Sequence, residues 1–191
     1  GYGMRSTYGR YVDASGNPRI KKTEETKLLA NGERDTRYEI LGNLTINRQI
    51  RSTGYAKYTD EYNYYVDSNG VKRFLAGKKT VNNFDSNERY ITSKFVDEFV
   101  VKPGQVLTES QILNDIVLNP AQLDSKLDYY RGTQTINDNF DSGNKPLDVV
   151  NLNYRYEEGK RVFYSGAQQT TKTVFDDVSG LAVINKISVR E

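Results

Sequence analysis

The side chains that could do acid–base or nucleophilic chemistry in this sequence are carboxylates, Lys, Tyr, Ser and Thr, because it contains no Cys and no His. Without Cys there is no disulfide, no thiolate nucleophile and no Cys-ligated zinc or iron–sulfur cluster. Without His, the usual triads, imidazole metal ligands and imidazole proton shuttles are excluded. Paired carboxylates remain, and two at a set separation can hydrolyse a glycosidic bond. The candidates are Asp60, Glu61, Glu157, Glu158, Asp176 and Asp177. They are mostly neighbours in sequence. Adjacent residues on a strand point to opposite faces, so these pairs are not expected to converge on one substrate.

Other motifs read as turns first and as sites second. Asp141-Ser142-Gly143 matches the Asp-Ser-Gly of aspartic peptidases, which need two such carboxylates sharing a proton on loops with apolar flanks. Here a single copy lies between Asn139-Phe140 and Asn144-Lys145. Asp67-x-Asn69-Gly70 and Asp138-x-Phe140-Asp141 supply oxygen ligands, so Asp67, Asn69, Asp138 and Asp141 are weak candidates for Ca²⁺. Neither completes an EF-hand loop, which needs a distal Glu at its twelfth position. Asn43-Leu44-Thr45 fits the glycosylation sequon. A Lys beside an Asn on neighbouring strands, next to a buried carboxylate, can close an intramolecular isopeptide bond; the sequence has both residue types but fixes no pair.

Basic residues are interleaved with Tyr in 48–65, and four more basic residues flank Phe74 in 72–79, the mixture that stacks on single-stranded nucleic acid or glycan. The same stretch carries Asp60, Glu61 and Asp67, so its field is mixed and a solvated sheet face is the better reading. Tyr62, Tyr64 and Tyr65 are the expected exposed contact residues, with 62 and 64 on one face and 65 on the other. No Gly-rich phosphate loop is visible and no cofactor is expected. Lys plus Arg total 27 against 25 Asp plus Glu, a net charge of +2, which makes no case for nucleic acid or an anionic membrane.

The elements that must hold these residues are hairpins. Tyr11-Val12-Asp13-Ala14-Ser15-Gly16-Asn17-Pro18-Arg19-Ile20 aligns without gaps to Tyr65-Val66-Asp67-Ser68-Asn69-Gly70-Val71-Lys72-Arg73-Phe74, an offset of 54. A second element, from Gly77 to Phe84-Asp85-Ser86, recurs from Gly132 to Phe140-Asp141-Ser142. Each Tyr-Val run meets Asp-x-x-Gly, where Asp bonds its own backbone and Gly takes positive φ. Further hairpins are expected around Glu158-Gly159 and Asn31-Gly32. Strands are expected over 44–50, 94–101 and 181–189. Thr108 with Gln111 forms a capping-box pattern ahead of Ile112, Leu113, Ile116 and Val117. Asn119-Pro120 ends that helix and starts another, striped by Leu123, Leu127 and Tyr130 and ended by Gly132. The polar stretch 137–146 reads as an exposed loop.

The expected fold is therefore α+β and β-rich, with antiparallel hairpins and one helical hairpin near 108–131. The expected organisation is a β-rich region over 1–102, the helical hairpin over 103–132 and a second β-rich region over 133–191, in one or two compact domains. Leu, Ile, Val and Phe total 46 of 191 residues, above the roughly 20% below which chains stay disordered. No apolar run approaches the ~18 residues needed to cross a bilayer. No signal peptide is visible, and a start at Gly suggests a processed or trimmed chain.

Tyr11-Val12-Asp13-x-x-Gly16-Asn17-x-x-Ile20, with its second copy Tyr65-Val66-Asp67-x-x-Gly70, resembles the opening hairpin of mucin-binding-type β repeats of Gram-positive surface proteins. The likeness covers about ten residues per copy, and the helices near 108–131 do not belong to that pattern. It implies an extracellular adhesive or stalk role. With acid–base groups depleted and hairpins repeated, the expected function is that of a non-enzymatic structural subunit of an extracellular, cell-surface or virion assembly. Such a filament, coat or surface layer would associate through strand edges and Tyr-rich faces. Strands near 1–10 and 181–191 are the candidates for pairing only within the assembly. The alternatives are a cell-surface adhesin module binding glycan or protein, and a carboxylate-dependent hydrolase.

Overall fold

The computed structural model describes residues 2–8, 19–35, 40–141, 143–175 and 182–190. Among them the elements run β1 (Tyr2–Tyr8), β2 (Ile20–Lys27), β3 (Ile40–Ile50), β4 (Ala56–Val66), β5 (Lys72–Phe84), β6 (Ile91–Val101), α1 (Glu109–Leu118), α2 (Pro120–Ser125), β7 (Leu127–Phe140), β8 (Pro146–Glu157), β9 (Lys160–Phe175) and β10 (Ala182–Arg190). The strands stand side by side in sequence order. The pairs β1–β2, β2–β3, β3–β4, β7–β8, β8–β9 and β9–β10 are antiparallel. The fold is thus β-rich, with hairpins and two short helices. Packing divides the chain into two compact units, Gly1–Thr80 with Asp97–Tyr130 and Val81–Val96 with Arg131–Glu191.

In the first unit, period-2 alternation supplies one wall of the core and the helices supply the other. Leu44 and Ile46 from β3, Tyr62 and Tyr64 from β4, Phe74 from β5 and Phe99 from β6 pack with Ile112, Ile116, Leu123 and Leu127. Helix α1 starts where the sequence requires. The Thr108 hydroxyl accepts the Gln111 amide at 3.2 Å, and the Gln111 side chain accepts the Thr108 amide at 3.1 Å. Pro120 opens α2 at a position whose amide has no helical partner to lose.

Among its described residues the second unit has little core. Of these, Tyr154 is the buried large apolar side chain, opposite Gly132 on β7 and Phe163 on β9. The β8–β9 hairpin closes through Glu158 and Gly159, with φ of 49° and 76°. Two consecutive left-handed residues are what a two-residue hairpin turn of the type I′ class needs.

Several expectations change. The second helix stops at Ser125, and Leu127 to Gly132 lie in β7, so the helical hairpin near 108–131 is shorter than expected. The Leu123–Leu127 spacing suits a helix, yet Leu127 reaches the same core from a strand, where Tyr129 follows it on the same face. Gly132 is no helix cap: a Cβ there would collide with the Val96 carbonyl oxygen and the Tyr154 ring. The exposed loop shrinks from 137–146 to 141–145, because β7 runs to Phe140 and β8 starts at Pro146. Strands β1 and β10 pair within the chain, with β2 and β9, rather than waiting for an assembly. The 65–74 copy of the repeat forms the β4–β5 hairpin, whereas 11–18 of the first copy lie outside the described residues.

Candidate functional site

The Asp-rich turns repeat one device. Asp67 Oδ1 accepts backbone amides from Asn69 at 3.0 Å and Val71 at 2.9 Å. Asp85 Oδ1 accepts those of Arg89 at 2.6 Å and Tyr90 at 3.0 Å. Asp141 Oδ1 accepts those of Gly143 and Lys145, each at 2.8 Å. Hydrogen bonds to the ionised form, led by the Val71 amide, hold the Asp67 carboxyl below its ordinary value. Burial pulls Asp85 upward, but the amides of Tyr90, Arg89 and Asn87 outweigh it and keep that carboxyl low. Of the four candidate Ca²⁺ ligands, Asp67 and Asn69 share one turn, Asp138 lies on β7, and Asp141 lies in the turn after it. Asp67 and Asp141 each have an oxygen occupied by backbone amides, and Asn69 contributes its own amide to Asp67.

Tyr62 and Tyr64 are not exposed contact residues. Tyr62 is 0% exposed and Tyr64 3%, both in the core face of β4, and Tyr65 on the opposite face is half-buried. Tyr62 and Tyr64 share a face, as period 2 requires, but it is the face that the helices cover. The Tyr64 hydroxyl donates to Glu24 at 2.8 Å, and burial, with that bond, pushes its pKa up to about 12. The outer face carries a polar ladder instead. Asn43 donates to Asn63 at 2.9 Å, and Thr59 donates to Asn47 at 2.9 Å, each pair directly opposite across β3–β4. Thr135 to Asn151 and Asn153 to Ser165 repeat the pattern in the second unit. Cross-strand pairs of this kind explain the Asn and Thr content without a ligand. The sequon residue Asn43 is part of this ladder, mid-strand.

The sequence-adjacent acids do not converge. Asp60 faces the core while Glu61 lies opposite Thr45 on the other face of β4. Glu157 pairs with Arg155 at 2.5 Å, Glu158 sits in the turn, and Asp176 and Asp177 lie outside the described residues. Two acids distant in sequence do come together. Asp60 is 1% exposed, and Arg48 donates to its Oδ2 from Nε at 3.1 Å and Nη2 at 2.9 Å. Its Oδ1 lies 4.0 Å from Lys79 Nζ. Lys79 also pairs with Asp124 on α2, and the Tyr129 hydroxyl donates to the same Asp124 oxygen at 3.0 Å.

Burial raises the Asp60 carboxyl above its ordinary value, against the pull of Arg48 and Lys79. Burial and the Asp60 and Asp124 charges raise the Tyr62 hydroxyl, whose oxygen is buried without a hydrogen-bond partner. Burial, then Asp124, raises Tyr129 in the same sense. Two convergent acids with one raised pKa are what a carboxylate hydrolase needs. Here, however, Lys79 stands between them, and Asp60 is buried in the core while Asp124 is 46% exposed. No sequence spacing signals this cluster, because β4, β5, α2 and β7 each contribute to it.

Beside it, a cleft of about 750 Å³ opens between β3 and the helices. Ile20, Ile50, Leu113 and Val117 give it apolar walls, and Arg19 and Arg48 bring cationic ends. Gln49 on its rim holds a φ of 53°, uncommon for a residue with a Cβ. In the second unit, register places Ile136, Val150 and Leu152 with Phe163 on one face of β7–β9. Ile136 is 37% exposed and Phe163 47%. No family model matches the chain, and no curated protein or solved structure gives a significant match.

Proposed function

We propose that the chain is a non-enzymatic structural subunit that associates with copies of itself in an extracellular, cell-surface or virion assembly. The observation carrying this reading is the apolar stripe on β7–β9, exposed at Ile136 and Phe163, in a unit whose described residues form so small a core. Large apolar side chains left in water favour a partner. A net charge of +2 gives a second copy little repulsion to overcome. Strands β1 and β10 stand at the two ends of the strand order, so each supports addition of another strand as well. The compartment is supported by the Cys-free composition and the resemblance to surface repeats.

The test is light scattering across concentration, with electron microscopy of any large species. Particles that grow with concentration, and shrink in Ile136→Ser and Phe163→Ser chains, are the expected result. A monomer at every concentration rejects self-assembly of the isolated chain.

The cleft beside α1 favours a second reading, an adhesin module taking a ligand with an apolar body and an anionic group near Arg19. A glycan array and a peptide array read against Arg19→Ala distinguish it from self-assembly.

A further inference from the structure

We infer that Lys79 and Asp124 are joined by an intramolecular isopeptide bond, formed by the protein itself with Asp60 as the proton carrier. The inference is independent of the assembly reading. It rests on a juxtaposition of three groups. The Lys79 amine contacts the Asp124 carboxylate, and the buried Asp60 presents Oδ1 to that same amine at 4.0 Å while Arg48 fixes Oδ2. Lys79 is 17% exposed and Asp60 2% at the side chain, so the amine and the proton carrier are shielded from bulk water, while Asp124, 46% exposed, leaves a path by which the released water departs.

The surroundings match the chemistry step by step. Amine attack needs an uncharged Lys79, and Asp60 Oδ1, 4.0 Å away, takes its proton once the amine moves about 1 Å closer, into hydrogen-bond range. The nitrogen then adds to Asp124 Cγ. Negative charge grows on the carboxyl oxygen that already accepts the Tyr129 hydroxyl at 3.0 Å, a donor aimed where the charge develops. Asp60 returns its proton to the other carboxyl oxygen of Asp124. The proton that the nitrogen sheds on bonding passes through Asp60 to the same oxygen, so the C–O bond breaks with water as the leaving group and the C–N bond remains. A lysine ammonium and a carboxylate become one amide and one water, with no oxidant or cofactor. The burial that raises Asp60 suits it to carry a proton in this cycle.

A comparison inside the same unit sharpens the point. Lys22 and Lys72 both pair with Glu109, and Lys72 also reaches Glu24. All four side chains are between 23% and 32% exposed, with no buried third acid among the four. That network has the ion pairs but not the sealed proton carrier, and it is not expected to condense.

Intact mass of the denatured full chain is the test. The expected mass lies one water, about 18 Da, below the calculated value, and a proteolytic digest contains a branched peptide joining Lys79 to Asp124. The full calculated mass overturns the proposal. So does a deficit with no Lys79–Asp124 peptide. Lys79→Arg and Asp124→Ala chains return to their calculated masses. In Asp60→Asn the bond is lost while far-UV circular dichroism stays that of the parent. A folded Asp60→Asn chain that keeps the branched peptide removes Asp60 from the mechanism. If Asp60→Asn does not fold, the parent's mass and its branched peptide still decide whether the bond exists.

Discussion

At the scale of single residues, Asp decides most of what happens. Asp67, Asp85 and Asp141 each begin a turn and accept amides two to five residues ahead. The Asp-x-x-Gly pattern made the Asp67 turn legible before any coordinates, because the bonding is local. Asp67→Ala should lower the melting temperature more than Asp67→Asn, which keeps an acceptor oxygen. The folded carboxyls of Asp67 and Asp85 titrate below the ordinary value of 3.8. Their contribution is therefore complete above that pH and is lost as pH falls through the lower folded values. Thermal melts from neutral pH to pH 2 should show stability falling at the acid end, and less steeply in Asp67→Asn. Asp60 runs the other way. Its folded pKa is raised, so its contribution is present below pH 3.8 and lost as pH rises through the folded value.

Tyr62 illustrates what residue-level reading misses. Its place on a strand and its face relative to Tyr65 follow from period 2, but which face is inside depends on helices 50 residues later, a distance no local pattern reports. Its hydroxyl is buried and unpartnered, so Tyr62→Phe should leave stability unchanged or raise it by about 1 kcal/mol in urea melts. A clear loss would mean that the hydroxyl is bonded after all.

At the scale of elements, capping chemistry and hairpin turns were readable and the end of α2 was not. Thr108, Gln111 and Pro120 act through groups within four residues of themselves, so the start of each helix is written locally. The switch from α2 to β7 is tertiary. Leu127 satisfies a helical stripe and a strand face equally, and the strand wins because Tyr129 then reaches Phe99 and Asp124, with ring centroids 5.8 Å apart in the first contact. Glycines facing tyrosines are a second device of this level. Gly42 lies opposite Tyr64 and Gly132 opposite Tyr154, and in each pair the ring fills the space a Cβ would need. Gly132→Ala should cost about 1–3 kcal/mol by chemical denaturation, since the Val96 carbonyl and the Tyr154 ring cannot both retreat.

At the scale of the molecule, the two units differ in how much they bury. The first has a two-walled core of strand and helix side chains, and the second keeps Tyr154 under a largely exposed sheet. Amide hydrogen exchange should follow that difference, with β3, β4 and α1 protected more strongly than β8 and β9. Binding of another copy to the β7–β9 stripe would narrow the gap by slowing exchange in β8 and β9. The convergence of Asp60, Lys79, Asp124 and Tyr129 also belongs here, since four separate elements assemble it and none announces it.

The sequence-order arrangement of the strands bears on how the protein is made. Each newly emerged strand can dock on the one synthesised just before it, without waiting for a distant segment. The β4–β5 and β8–β9 connections are short, so closure entropy there is small, and those hairpins can form as the chain emerges. The helices and β7 arrive after β3 to β6 are already out, so the first core is sealed late, by its C-terminal portion. Export of such a chain in an extended form, followed by hairpin-by-hairpin growth on the far side, would need no partner to hold its early strands in register.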